Sequence, residues 1–549
     1  MPTIVPAGAS QGEDDGARPP DRRVLGGARR VGLRWLAMLA LVIERVAGLH
    51  LGLRVALALC FGIVAALGFE PYAWWPLLFP GVAGLSLLAL GTRRLWQALL
   101  IGLGYGLGYM GLGLDWMAAI FLEALVGIVL ATALFYVLLA GLIHLLRKLP
   151  WWQVPVACCW VLVEAIVSRW PFDGFGWMRL GYTMVDTPLN GLYPVVGVVG
   201  VTFAVALLAQ FLLWLADRRG WLPLTATALV VVLLGAVAWA GGRVPTAPVA
   251  GDAVRIGWVQ GGAPGGGVYG IGPARTTTKS HLAGTVALMD EVQAGRQPRP
   301  DFIVWPENGT DMDPYKDAET GSYVKKALQV AGVPIFAGTI LDGPGKGERQ
   351  TASLWLDPER GELTRYTKRG IVPFGEWVPY RDLLLPLVPE LAYVGPQSIP
   401  GTEPGVVKVK VGGEPLALGV MICYDVSFDS YSYDTIRYGG QVLVVQSSNA
   451  MYQGTGQIDQ QFAMTRARAA ELRREILVVT TSGVSGLILP DGSVSWSVTT
   501  PGAATGVVTL PRRAGLTPVV SVAPVLEAGL AALGLLAVLG SALWRRAAQ

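Results

Sequence analysis

Leu416-Ala417-Leu418-Gly419-Val420-Met421-Ile422-Cys423-Tyr424-Asp425 is an apolar, strand-like run that stops at one cysteine and turns polar at once. It reads as a buried strand ending at a cleft. A sheet behind the run would hold the thiol rigidly, and the polar residues beyond it give access to water or substrate, which is where a nucleophile sits. The other reading of Cys423 is a small buried core residue.

Similar runs recur around it. Between about 246 and 515, strand patterns fall at 254–260, 302–305, 334–340, 353–356, 416–423, 442–446 and 476–480, with helical patterns near 277–294, 320–331 and 458–474. Alternating strands and helices predict one α/β domain whose sheet faces are covered by helices.

The rest of the chain has a different character. Of 549 residues, 52% are hydrophobic and only 15% charged, well outside the soluble norm. A spanning helix takes about 20 mostly apolar residues. Seven candidates precede residue 245, at 53–69, 74–90, 96–114, 122–146, 152–168, 192–216 and 221–241, and an eighth lies at 525–544. The run 33–49 is interrupted by Arg34, Glu44 and Arg45 and reads as an interfacial helix or a ninth span. The expected fold class is therefore a polytopic α-helical membrane domain joined to an α/β domain. Its parts are a disordered tail (1–30), a membrane domain with seven spans (31–245), the α/β domain (246–515), and an eighth span with a basic tail (516–549). The tail lacks the short apolar core of a signal peptide, so the chain's own helices are expected to keep it in the membrane.

Arg22, Arg23, Arg29 and Arg30 precede the first span, and Arg93 with Arg94, Arg147 with Lys148, Arg218 with Arg219, and Arg545 with Arg546 follow the second, fourth, sixth and eighth. With eight spans every cluster falls on one side. Basic residues favour the cytoplasm, so the α/β domain is expected outside it. The net charge of +4 is spread in pairs, and nucleic acid is not an expected partner. Cys60, Cys158 and Cys159 lie in apolar runs, and His50, His144 and His281 are far apart. Neither a disulfide framework nor a metal or other cofactor is expected. Asp115, Glu123, His144 and Glu164 are polar enough to raise transport as an alternative, but most lie near span ends and read as interfacial, as do the tryptophan-rich loop ends.

Three segments carry chemistry: Phe302-Ile303-Val304-Trp305-Pro306-Glu307, Tyr366-Thr367-Lys368-Arg369-Gly370-Ile371-Val372-Pro373-Phe374-Gly375-Glu376, and the Cys423 run. Glu307 can take the thiol proton, Lys368 can stabilise thiolate and oxyanion, and Cys423 can attack a carbonyl. Taken singly, Glu307 also reads as a helix-terminal charge after Pro306, and Lys368 as a solvated loop charge.

In this order, with apolar spans on both sides, the segments resemble the Glu-Lys-Cys pattern of the nitrilase superfamily, in the membrane-embedded branch formed by the bacterial apolipoprotein N-acyltransferases. The likeness extends to Phe69-Glu70-Pro71-Tyr72 with Trp75-Pro76, Phe175-Gly176-Trp177 with Gly181-Tyr182, Val259-Gln260-Gly261, Val372-Pro373-Phe374-Gly375-Glu376 and Cys423-Tyr424. It implies a nitrilase-like αββα sandwich in a bacterial cytoplasmic membrane. Glu307 would be the general base, Lys368 the electrostatic stabiliser and Cys423 the nucleophile, with Glu376, Tyr424 and Asp425 in support. The implied reaction moves an acyl chain from a phospholipid donor, through a cysteine thioester, to the α-amine of a diacylglyceryl-modified apolipoprotein. Two positions depart from the pattern. Asp425 stands where the family usually has Glu, and Asn449-Ala450-Met451-Tyr452 where members commonly show Asn-Asp-x-Trp. The competing functions are a membrane-tethered amidase or nitrilase acting on a small amide, and a non-catalytic membrane scaffold.

Overall fold

The structure, a computed structural model, describes residues 48–547 except 219 and 268, with side chains as far as residue 543. The expected tail at 1–30 and nearly all of the 33–49 helix lie outside the described residues.

Apolar helices occupy all eight expected places. They are α1 (Leu51–Ala66), α2 (Leu78–Leu90, entered through a 3-10 turn at Trp75–Leu77), α3 (Leu95–Gly113), α4 (Leu122–Leu146), α5 (Gln153–Val167), α6 (Tyr193–Asp217), α7 (Trp221–Gly241) and a C-terminal helix (Val519–Ala547). Among the described residues five of these are long and apolar enough to cross a membrane: α3, α4, α6, α7 and the C-terminal helix. The other three are apolar but shorter. Small residues let the helices approach closely: a Cβ on Gly62 of α1 would lie 2.2 Å from the Tyr105 carbonyl oxygen of α3. Leu229 and Val232 of α7 and Leu533 and Leu536 of the C-terminal helix are exposed, an outward apolar face suited to lipid.

Two groups differ from the interfacial expectation. Asp115 and Glu123 are exposed at helix ends, but His144 and Glu164 are buried. Glu164 accepts hydrogen bonds from the Leu180 amide (2.9 Å) and the Thr202 hydroxyl (2.7 Å), which satisfies a carboxylate that burial alone would penalise.

Among the described residues the α/β domain contains thirteen strands: β1 (Val254–Gln260), β2 (Phe302–Thr310), β3 (Ile335–Asp342), β4 (Glu348–Asp357), β5 (Gly361–Thr367), β6 (Gln397–Ser398), β7 (Val406–Val411), β8 (Glu414–Ile422), β9 (Val442–Ser447), β10 (Ile476–Thr480), β11 (Ser485–Ile488), β12 (Val494–Val498) and β13 (Ala504–Leu510). One sheet runs β13-β1-β2-β3-β4-β5 with β6 beside β4, and the other β12-β11-β10-β9-β8-β7. Its helices are α8 (Thr276–Gln293), α9 (Ala318–Ala331), the short α10 (Arg381–Leu384), α11 (Asp429–Arg437) and α12 (Gln457–Leu472).

The two-residue strand period sorts side chains between layers. Phe302 and Val304 of β2 meet Leu418, Val420 and Ile422 of β8 between the sheets. Ile303 and Trp305 turn the other way, onto Leu288 of α8 and Leu328 of α9. On the far side of the second sheet, Met421 joins Met464 of α12 in a core that continues into the membrane domain through Tyr182, Val198 and Val519. The result is an αββα sandwich with one outer helical layer fused to the apolar helices.

Buried charges reinforce that junction. Arg468 of α12, fully buried, bonds Glu471 (2.6 Å), Asp429 (2.8 Å) and the Tyr182 hydroxyl (3.1 Å), and Arg179 reaches the same Asp429 oxygen at 2.8 Å. Glu471 then accepts the Val198 amide at 2.8 Å, just past Gly197, where α6 breaks with φ 66°. A Cβ at Gly197 would sit 2.8 Å from that Glu471 oxygen, so glycine serves both the conformation and the close approach. Trp116 and Trp177 also depart from expectation. Rather than anchoring at an interface they are buried, and both indole N–H groups donate to Gln460 of α12, at 3.0 and 2.7 Å.

Candidate active site

Cys423 takes its position from β8. The parallel pairing of β8 with β9 ends at Ile422 opposite Gln446, and the chain turns at Cys423 into a 3-10 segment with φ 51°. Asn308, Phe374 and Asn449, all beside the site, also have positive φ, a conformation that costs a non-glycine residue about 1–3 kcal/mol and persists where surrounding bonds enforce it.

Asp425 is one such enforcer. Fully buried, its carboxylate accepts the Ile422 amide (2.9 Å), the Gly370 amide (2.7 Å) and the Tyr366 hydroxyl (2.9 Å). It ties the turn that carries the thiol to the loop that carries Lys368, so the shorter side chain reaches its partners. Burial raises the Asp425 pKa while the two amides, Lys368 and Tyr366 lower it. Asp425→Ala would strand three buried donors at about 1–3 kcal/mol each. We expect a melting-temperature drop of roughly 10 °C or more, in a thermal melt, together with loss of activity. Tyr424 packs under the turn, its hydroxyl donating to the Gly174 carbonyl (3.0 Å) and its ring stacked on Phe175 and Trp177.

Glu307 comes from the opposite sheet. The β2–β3 register slips between Trp305 and Thr310, and this bulge carries Glu307 within the strand rather than at a helix end. Gln446 joins the sheets there, donating to the Trp305 carbonyl at 2.5 Å and accepting the Ser353 hydroxyl at 2.6 Å. Glu307 is 4% exposed and accepts the Ser448 amide (2.9 Å) and the Lys368 ammonium (2.8 Å). Lys368 follows β5, is 1% exposed rather than solvated, and also donates at 2.9 Å to both oxygens of Glu376. The Val372 amide holds Glu376 at 2.8 Å.

The geometry thus brings together Glu307, Lys368, Glu376 and Cys423, with Tyr424 and Asp425 behind them. Burial works to strip the proton from Lys368, but Glu307, Glu376 and the thiol hold its pKa well above the ordinary lysine value. Burial pushes the Cys423 thiol up, as do Glu307 and Glu376, against Lys368 and Gln461. Sequence reasoning missed Gln461, whose side-chain N–H points to Sγ at 3.3 Å, and Ser448, whose contribution is a backbone amide and leaves no side-chain signal. Tyr452 packs edge-on against Trp116 with ring centres 5.3 Å apart.

A family model described as Carbon-nitrogen hydrolase matches residues 268–513, and one described as Apolipoprotein N-acyltransferase N-terminal domain matches 61–211. The chain is 32% identical to an apolipoprotein N-acyltransferase of Mycolicibacterium smegmatis, over 78% of this chain and 75% of that one. It is 26% identical to one of Photobacterium profundum, over 80% and 86%. It belongs to the apolipoprotein N-acyltransferase family, and it is an acyltransferase. Among solved structures it is similar to an amidase from Nesterenkonia sp. (16% identity, TM-score 0.34, covering 49% of this chain and 94% of that one).

Proposed function

We propose that this protein moves an acyl chain from a membrane phospholipid to the N-terminal α-amine of diacylglyceryl-cysteine apolipoproteins, through a thioester on Cys423. The observation that carries the reading is a buried ammonium bonded to two carboxylates beside a strand-end thiol, in a domain whose core continues into apolar helices. A phospholipid keeps its ester near the bilayer surface, so a catalytic domain fused to such helices meets the donor without extracting it. In the first step Sγ forms a bond to the ester carbonyl carbon as Glu307 takes the thiol proton. The positive charge of Lys368 stabilises the oxyanion, and collapse releases the lysophospholipid alcohol carrying that proton. In the second step the neutral amine attacks the thioester, Glu307 accepts a proton from the nitrogen, and the departing thiolate is reprotonated. The amide is the more stable product.

We further propose residues 246–515 as the catalytic domain, on the extracytoplasmic face of a bacterial cytoplasmic membrane. Glu70, Trp116 and Trp177 lie in the loops that bond Gln460 of that domain, whereas Arg93, Arg94, Arg147, Lys148 and Arg218 lie in the alternate connections. Basic residues gathered away from the domain support this orientation.

The test is purified protein with phospholipid and a diacylglyceryl-cysteine peptide, read by product mass. Peptide gaining one acyl group is expected. Release of ammonia from a small amide, without peptide acylation, would instead indicate an amidase, and neither product a scaffold.

A further inference from the structure

The sulfur of Cys423 needs a hydrogen-bond donor as it becomes anionic, and Lys368 is poorly placed to be that donor. An ammonium has three N–H groups, and Lys368 spends its bonds on one oxygen of Glu307 and two of Glu376. Among the described residues the donor that reaches Sγ is Gln461 of α12, through Nε2 at 3.3 Å.

Gln461 is 3% exposed, and its neighbour explains why it holds still. Gln460 accepts from Trp116 and Trp177 and donates to the Glu70 and Gly113 carbonyls, at 2.9 and 3.0 Å. This start of α12 is therefore pinned to three loops of the membrane domain, and the next residue is aimed at the nucleophile. Gln461 is packed among Ser447, Asn449, Ile458, Phe462 and Thr465, so the test substitutions are chosen close to its own size.

We infer that Gln461 is a catalytic donor to sulfur: its side-chain N–H holds Cys423 Sγ for attack and stabilises the thiolate in both half-reactions. The inference rests on the thioester reading above. In acylation the S–H bond breaks toward Glu307 while the C–S bond forms, and the N–H shares the charge on sulfur. The thioester sulfur is a weak acceptor, so the bond loosens. In aminolysis the C–N bond forms, the C–S bond breaks, and the same N–H receives the departing thiolate. The other groups facing the thiol are Glu307 from β2, Lys368 and Glu376 from the segment after β5, and Tyr452 from the turn before α12. Glu307 and Glu376 oppose the thiolate, which makes an added donor consequential.

The experiment uses the full chain in detergent with Gln461→Leu, which removes the donor, and Gln461→Glu, which keeps the shape and offers only acceptors when ionised. Alkylation of Cys423 by iodoacetamide is followed against pH by peptide mapping, alongside single-turnover acylation by phospholipid and discharge by the peptide. A charge-assisted hydrogen bond of ordinary strength predicts that the alkylation profile moves up by about one pH unit in the Leu variant and further in the Glu variant. Acylation and discharge each slow by about tenfold. The wild-type chain separates two failures. Wild type that takes no acyl group overturns the acyltransferase reading. Wild type that is acylated, with unmoved alkylation profiles in both folded variants, overturns the role of Gln461 alone.

Discussion

Cys423→Ala is expected to lower peptide N-acylation by at least about 10⁴-fold, because on the proposed thioester route the sulfur that carries the acyl group is gone. The loss should be chemical rather than structural. The turn is held by Asp425 through Ile422 and Gly370, and none of those bonds involves the cysteine side chain. The melting temperature should stay within a few degrees of wild type while product mass disappears. A variant that melts normally and still acylates would remove Cys423 from the mechanism.

Lys368→Met should act on both activity and stability. Its ammonium bonds three carboxylate oxygens at 2.8–2.9 Å while 1% exposed. Without it Glu307 and Glu376 face each other with no counter-charge, and breaking a buried ion pair in this way costs about 3–5 kcal/mol. On the proposed mechanism, loss of the charge that stabilises the oxyanion adds roughly 10²–10³-fold in rate. The pH signature has a definite sign. In wild type the raised pKa of Lys368 means that its contribution is fully present below the ordinary lysine value of about 10.4 and is lost only as pH climbs through the folded value. Stability from this group is therefore flat across neutral pH. In the variant one of the two facing carboxylates must take up a proton, so stability should fall as pH rises from acid toward neutral. Thermal melts of both proteins from pH 4 to 9 check this, and parallel curves would contradict it.

Much of the candidate site was legible where an apolar run stops at a reactive group. The Cys423 run shows this directly. Glu307 was legible as chemistry but not as structure, since Pro306 and the Asn308-Gly309 pair look like a strand break. The strand continues through them as a bulge to Thr310. β7 was passed over although Val407, Lys408, Val409, Lys410 and Val411 alternate before Gly412-Gly413, a hairpin signal. As an edge strand it exposes its lysines, and exposed lysines read as loop. β5 and β13 lie at the edges of the other sheet and are similarly half exposed.

The helices were found where continuous apolar runs require them, but the junction between the two halves was not. Trp116 and Trp177 look like lipid-interface residues in sequence, and only the partner Gln460, more than 280 positions away, shows what they bind. A signal was available in Gln457, Gln460 and Gln461, glutamines three and four apart on one face of α12, all buried. Buried amides at helical spacing point to partners, which Gln460 and Gln461 have. Asp425 carries the same lesson in reverse. One methylene shorter than the residue the resemblance implies, it compensates because its partners come to it: two backbone amides and a tyrosine hydroxyl.

The mass of the enzyme itself shows whether Cys423 carries the acyl group. Purified protein is incubated with phospholipid of one acyl composition, its intact mass recorded and the modified residue mapped, and diacylglyceryl-cysteine peptide then added. A single acyl adduct is expected at Cys423, absent in Cys423→Ala, that disappears as the peptide gains the same mass. An adduct on another residue, or one on Cys423 that the peptide does not discharge, would contradict the thioester route.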